Sequence, residues 1–157
     1  MSESAEKFCY RTELENKNVI AIVPTGNSMW PMLKHRKQSV LVSKKTQRLK
    51  PFDVALYERK NGTYVLHRVM ELTDTGYVIC GDSQSYFEEV KEEAVIGVMT
   101  AFYRGKKCIE ATDEKYIAKV QKWYSNEEKR AKKAKRFFFI QNIKYKIKYY
   151  TKRLIGK

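Results

Sequence analysis

Three short segments of this chain carry residue types that perform acyl transfer when they are brought together. The first is Pro24-Thr25-Gly26-Asn27-Ser28-Met29-Trp30-Pro31-Met32-Leu33, a serine leaving a β-branched run with Gly26 before it and Pro31 after it. A turn constrained on both sides exposes a hydroxyl and aims nearby amide N–H groups at one point, as a nucleophile and its oxyanion hole require. Gly26, Asn27, Met29, Trp30 and Pro31 are therefore the candidate oxyanion and substrate positions around Ser28. The second segment, Tyr64-Val65-Leu66-His67-Arg68-Val69, places a histidine in an otherwise apolar run. The third, Gly81-Asp82-Ser83, places a carboxylate just after the next run. In that order Ser28, His67 and Asp82 supply a nucleophile, a general base and a group that fixes the base's tautomer. Each also has an ordinary explanation when taken alone: a turn serine, a satisfied core histidine, a turn-capping aspartate.

The elements that must position these residues read as β. Apolar, β-branched runs occur at Val19–Val23, Val40–Val42, Val54–Tyr57, Tyr64–Leu72, Tyr77–Cys80 and Ala94–Tyr103. Asn61-Gly62 predicts a two-residue hairpin with positive φ at both positions, and Asp74-Thr75-Gly76 predicts the next reversal. Short strands separated by turns predict a small antiparallel sheet or barrel-like fold. Further along, the period changes. No glycine or proline lies between Gly105 and Gly156, and Tyr116, Val120 and Trp123 share a helical face. Ser125-Asn126-Glu127-Glu128 has capping-box spacing for a second helix. Phe139, Ile143, Ile147, Tyr150 and Leu154 then form a helical stripe, although Ile143 to Tyr149 also alternates as a strand would; helix is the preferred reading.

Charge divides the 157 residues in the same place. Residues 1–114 hold 17 Lys/Arg against 16 Asp/Glu, whereas residues 115–157 hold 15 Lys/Arg against only Glu127 and Glu128. A nearly neutral domain, 1–114, is thus joined to a basic, aromatic-rich tail, 115–157. The three cysteines, Cys9, Cys80 and Cys108, lack metal-ligand spacing and are too sparse for a disulfide scaffold. No phosphate-cradling glycine loop or metal cluster is present, so no cofactor and no metal is expected. His35, among Lys34, Arg36 and Lys37, reads as a solvated loop residue, and Cys80 as buried strand filler. No apolar run reaches the roughly 18 residues of a spanning helix, and Met1 to Lys17 is too polar for a secretory signal. A cytoplasmic location is the expectation.

The order Gly-x-Ser-Met-x-Pro, then Asp53-Val54, then His67-Arg68-Val69, then Gly81-Asp82 resembles the serine peptidase superfamily of type I signal peptidases and self-cleaving repressor proteases. The resemblance runs from about Val19 to Gly97, with Val95-Ile96-Gly97 similar to the closing strand. It implies that Ser28 is the nucleophile, flanked by Met29 and Pro31 of its motif. His67 falls where many members use lysine, which resembles the endoplasmic-reticulum and archaeal type of signal peptidase. Asp82 matches the aspartate that completes the site in that branch. Lys37-Gln38-Ser39 and Phe52-Asp53 stand where members commonly have Gly-Asp, and Gly26 stands where many have a hydroxyl donor.

The sequence-level expectation is thus a mainly β, signal-peptidase-like domain with a C-terminal basic α-helical tail, acting as a cofactor-free serine endopeptidase. Its substrate would be an extended leader or linker peptide laid alongside a β-strand. The alternative is a non-catalytic module that keeps the fold and binds through its groove or tail. A self-cleaving regulator is disfavoured, because only about 18 residues precede the first strand, too few for a DNA-binding domain. For residues 125–157 the readings are packing on the domain, or an anionic membrane surface. Nucleic acid ranks third, because Phe137-Phe138-Phe139-Ile140 suits burial better than phosphate contact. The membrane reading makes the location peripheral, at the inner face.

Overall fold

The structure is a computed structural model that describes residues 9–155, with burial described to residue 153. Met1 to Phe8 of the polar N-terminus, Gly156 and Lys157 of the basic tail, and the side chain of Leu154 in the helical stripe lie outside the described residues. The described residues form an eight-stranded antiparallel sheet and three α-helices. The strands are β1 (Val19–Ile22), β2 (Val40–Lys44), β3 (Val54–Glu58), β4 (Tyr64–Thr73), β5 (Gly76–Cys80), β6 (Glu88–Lys91), β7 (Val95–Arg104) and β8 (Lys107–Glu110). The sheet order is β1-β2-β7-β3-β4-β5-β6, with β8 added beside β7. Helices α1 (Tyr10–Lys17), α2 (Glu114–Tyr124) and α3 (Glu127–Ile155) complete the fold.

All the apolar runs named above are strands. The sheet buries two apolar clusters: one around Val40, Val42, Leu56, Phe102, Tyr116 and Val120, the other around Tyr57, Val69, Tyr77 and Ile79. The additional elements, α1, β6 and β8, are short and mostly polar. Leu14 is the buried residue of α1, and Val90 that of β6.

Two turns differ in detail from the expected ones. Of the pair Asn61-Gly62, only Gly62 has positive φ (75°). Asn61 instead accepts the Thr63 amide with its side-chain oxygen at 3.0 Å, and the loop closes through Arg59 N–H to Thr63 O at 2.9 Å. That side-chain bond replaces the left-handed backbone that a two-residue turn demands. At the start of α3 the cap is Asn126 rather than Ser125, its Oδ1 accepting the Lys129 amide at 2.8 Å.

The composition boundary near residue 115 is not a packing boundary. α2 is capped by Asp113, whose Oδ1 accepts the Tyr116 amide at 2.9 Å, and it buries Tyr116 and Val120 in the first cluster. The first part of α3 is also docked, through buried Arg130 and Ala134 and through Phe137, which stacks on Trp30 at 4.3 Å. Beyond it the helix stands clear: Phe139, Ile143, Ile147 and Tyr150 are exposed. Packing of this stripe on the domain is therefore overturned, because α3 meets the body through its first part, by Arg130, Ala134 and Phe137. Residues 143–149 are helical, not a strand.

A chain ending at Ile140 should keep the urea midpoint of the full chain. Trp123→Ala should instead lower the unfolding free energy by about 3 kcal/mol, as loss of a packed aromatic does. Urea unfolding of both proteins checks this division.

Candidate active site

β4 delivers two consecutive functional residues, His67 and Arg68, and neighbours along a strand point to opposite faces. Both are buried, so each charge or potential charge needs its own partners.

Arg68 pairs with Asp82 in a bidentate contact, Nε to Oδ1 at 2.7 Å and Nη2 to Oδ2 at 2.8 Å. It also donates to the carbonyl of Phe52 at 2.7 Å and to the Tyr116 hydroxyl at 3.1 Å. Asp82 in turn accepts from the Tyr124 hydroxyl at 2.8 Å, and its carbonyl accepts from the Trp123 indole at 2.7 Å. Burial works against the guanidinium's charge, but the Asp82 carboxylate outweighs it and holds Arg68 above its ordinary pKa. Burial, then the same carboxylate, pushes the Tyr124 hydroxyl up, so it remains a donor.

His67 lies on the other side with different partners. Its Nδ1 is 3.3 Å from the Tyr57 hydroxyl and 3.5 Å from Glu88 Oε1. The strand register explains the placement: Tyr57 is diagonal to His67 across β3–β4, since Ala55 pairs with His67 and Tyr57 with Val65. Glu88 lies on the same face by way of the pairs Val69–Ile79 and Ile79–Glu88. Tyr57 donates to Glu88 at 3.1 Å, and burial followed by Glu88 raises its pKa, so it stays protonated. With its own proton directed at Glu88, the phenol oxygen is an acceptor toward His67. Two acceptors therefore face Nδ1, which selects the Nδ1–H tautomer and leaves the lone pair on Nε2. Among the described residues Nε2 has no protein partner and no fully buried side-chain nitrogen or oxygen lacks one, so Nε2 is not fully buried; His67 lines a cleft.

Glu88 is itself held by Arg59, whose Nε donates to Oε2 at 3.0 Å and whose Nη2 bonds Oε1. Burial raises the Glu88 pKa, but the bonds from Arg59 and Tyr57 prevail and lower it. For His67, burial dominates and lowers the pKa below 6.5, while the Glu88 charge works in the opposite direction.

Ser28 lines the same cleft, a cavity of about 360 Å3 floored by Ile22, Met29, Leu33, Leu56 and Leu66. The larger cavity behind Glu88, about 650 Å3, contains neither Ser28 nor His67. The serine turn is pinned from three directions. Ser83 donates its amide to Ser28 O at 2.8 Å and its hydroxyl to Asn27 O at 2.9 Å. The Gly26 amide donates to His35 Nδ1 at 2.6 Å, and Arg36 N–H donates to Pro24 O at 3.0 Å. Gly81 permits the approach of the turn, because a Cβ there would stand 2.9 Å from Ser28 O. Among the described residues the amides of Asn27, Ser28 and Met29 donate to no protein acceptor.

The expected cluster is thus brought together in part. Ser28 and His67 share the cleft, with no hydrogen bond between them. Asp82 makes no hydrogen bond to His67: its oxygens face Arg68 and Tyr124, and the orienting acceptors are Glu88 and Tyr57. Gly26 and Met29 line the cleft, but Gly26 cannot serve an oxyanion with an amide already given to His35. Asn27 lies outside the lining, with its carbonyl tied to Ser83. Trp30 and Pro31 face the helices instead, Trp30 between Trp123 and Phe137 and Pro31 beside Trp123. His35 is exposed, as expected of a loop residue, yet it braces the turn. Cys80 is buried, as a strand filler should be. Glu88 and Arg59 escaped the sequence reading because they lie in polar runs; the only signal was buried Val90 among charged neighbours in β6.

Compared with known proteins, the chain matches no family model and no curated protein.

Two outcomes follow. Asp82→Asn leaves a buried guanidinium without its counter-charge, and should cost about 3–5 kcal/mol in urea unfolding. For His67, the unfolded chain binds the proton more tightly than the folded one, so its contribution to stability is present above pH 6.5. It is lost as the pH falls through the lowered folded value. His67→Gln should flatten that part of the stability–pH curve.

Proposed function

We propose that the protein is a serine endopeptidase related to the signal peptidase and self-cleaving repressor superfamily, acting on an extended peptide. The observation that carries this reading is one cleft shared by Ser28 and by a neutral His67 whose Nδ1 faces two acceptors. Ser28 Oγ attacks the peptide carbonyl carbon as its proton passes to His67 Nε2. The oxyanion forms near the unengaged amides of Ser28 and Met29. The C–N bond then breaks as Nε2 returns the proton to the leaving amine, and water hydrolyses the acyl-enzyme by the same route. Glu88 with Tyr57 takes the orienting role that the sequence had assigned to Asp82.

An extended substrate has a place beside the site. Among the described residues, 64–67 of β4 pair with β3 on one side only, because pairing with β5 begins at Arg68. That free edge borders the cleft and offers strand-type hydrogen bonds to a peptide. A further support is Phe52, whose φ of 73° is left-handed; the resembled superfamily commonly carries glycine there, and the carbonyl of Phe52 is a partner of Arg68. Three unbridged cysteines accord with the cytoplasm as the place of action.

Cleavage of a randomised peptide library, read by mass spectrometry, tests the proposal. Ser28→Ala should reduce turnover by roughly a thousandfold or more while preserving the circular dichroism spectrum. Equal cleavage by Ser28→Ala overturns it, and equal capture of uncleaved peptide by both proteins identifies a binding module.

The pH profile separates Glu88 from Asp82. The acid limb of kcat/KM should lie below pH 6.5, because burial lowers His67. Glu88→Gln removes a charge that favours the imidazolium, so the limb should move to still lower pH as kcat falls.

A further inference from the structure

The second half of α3 carries a surface that the fold does not use. Every residue from 142 to 153 is exposed, with Phe139 at 65% and Ile147 and Tyr150 each at 59%. The helix has 29 residues, which is roughly 43 Å of length, and it is clear of the body after Gln141. Successive residues turn by about 100°, which gathers Phe139, Ile140, Ile143, Ile147 and Tyr150 into an arc of roughly 100°. Lys146 and Arg153 border that arc on one side and Lys144 on the other, with Lys148 and Lys152 at the back beside Tyr145 and Tyr149. No acidic residue follows Glu128.

We propose that residues 139–153 form a docking surface for an anionic lipid bilayer. The apolar arc enters the boundary between headgroups and acyl chains, while the flanking stems of Lys144, Lys146 and Arg153 reach back to lipid phosphates. Tyr150, within the arc, suits the same wet–dry boundary. Charge decides between occupants. A second copy would set one segment without acidic residues against another, and the repulsion between their lysines and arginines opposes that pairing. A nucleic acid satisfies the lysines but leaves the Phe139–Ile143–Ile147 face in water. An anionic bilayer answers both features at once. No helix among the described residues is long and apolar enough to cross a membrane, so contact is along the surface. The surface uses no residue of the Ser28 cleft, and its test is independent of the peptidase reading.

The full chain is sedimented with vesicles of phosphatidylcholine alone and of phosphatidylcholine mixed with phosphatidylglycerol, across a salt series. Wild type and Ser28→Ala should bind the anionic vesicles equally, and the neutral ones far more weakly. Lys144→Gln and Lys146→Gln should each lose roughly fivefold in partitioning. The pair Ile143→Ser and Ile147→Ser should lose roughly tenfold or more, with an unchanged thermal midpoint because both positions are exposed. Failure to bind anionic vesicles at low salt overturns the proposal. So does binding that the serine pair leaves at full strength and double-stranded DNA competes away, which is the behaviour of a sequence-blind polyanion binder. Lipid-free self-association abolished by the serine pair, without vesicle binding, assigns the face to a second copy.

Discussion

Arg68 and Asp82, at 1% and 0% exposure, meet where the ends of β3 and β5 converge on β4 and α2. A buried ion pair of this kind contributes little net stability over a well-packed apolar substitute, whereas loss of one partner is costly. Its consequence here is positional. Asp82 sits between Gly81 and Ser83, and Ser83 holds the carbonyls of Asn27 and Ser28. Trp123 and Tyr124 bind Asp82 from α2. The guanidinium of β4 therefore fixes the serine turn through two intermediates, and the place of Ser28 depends on a charge it never touches.

A second ionic unit, Arg59 with Glu88, works on the other face with a different outcome. Glu88 alone would favour the imidazolium of His67. Burial outweighs it and keeps the ring neutral, which is the form a general base requires. Arg59 tempers Glu88 further by neutralising part of its charge. The two units are separated because strand residues alternate faces, so His67 and Arg68 do not compete for one carboxylate.

The helices connect the site to the basic tail. Trp30, two residues after Ser28, lies edge-on to Trp123 and flat on Phe137. Arg130 of α3 donates to the carbonyl of Gln84 at 2.6 Å and lies over the Tyr124 ring. The docked part of α3 thus braces both the serine turn and the loop after Asp82. Its free part projects from that brace, with residues 142–153 all exposed.

Much of the fold was legible in the sequence, because the signals were local. β-branched runs such as Val54–Tyr57 and Ala94–Tyr103 hide side chains on a sheet, and the glycine-free stretch after Gly105 has a helical period; those patterns are properties of neighbours along the chain. Short polar elements, α1, β6 and β8, bury too little to leave such a pattern. Ser28 and His67 were legible as candidates by residue type and order together, since a turn serine or a histidine in an apolar strand is ordinary when taken alone. The third partner was not. Asp82 and Glu88 are both carboxylates near strand ends, and spacing cannot say which faces a histidine. Only the register of β3 through β6 puts Tyr57 and Glu88 on the His67 face, and only packing of α2 gives Asp82 to Arg68. The exposed stripe of α3 was likewise decided by tertiary structure: the sequence specified a helix with an apolar face, but whether the domain had any surface left to cover it depended on how every other element had already packed.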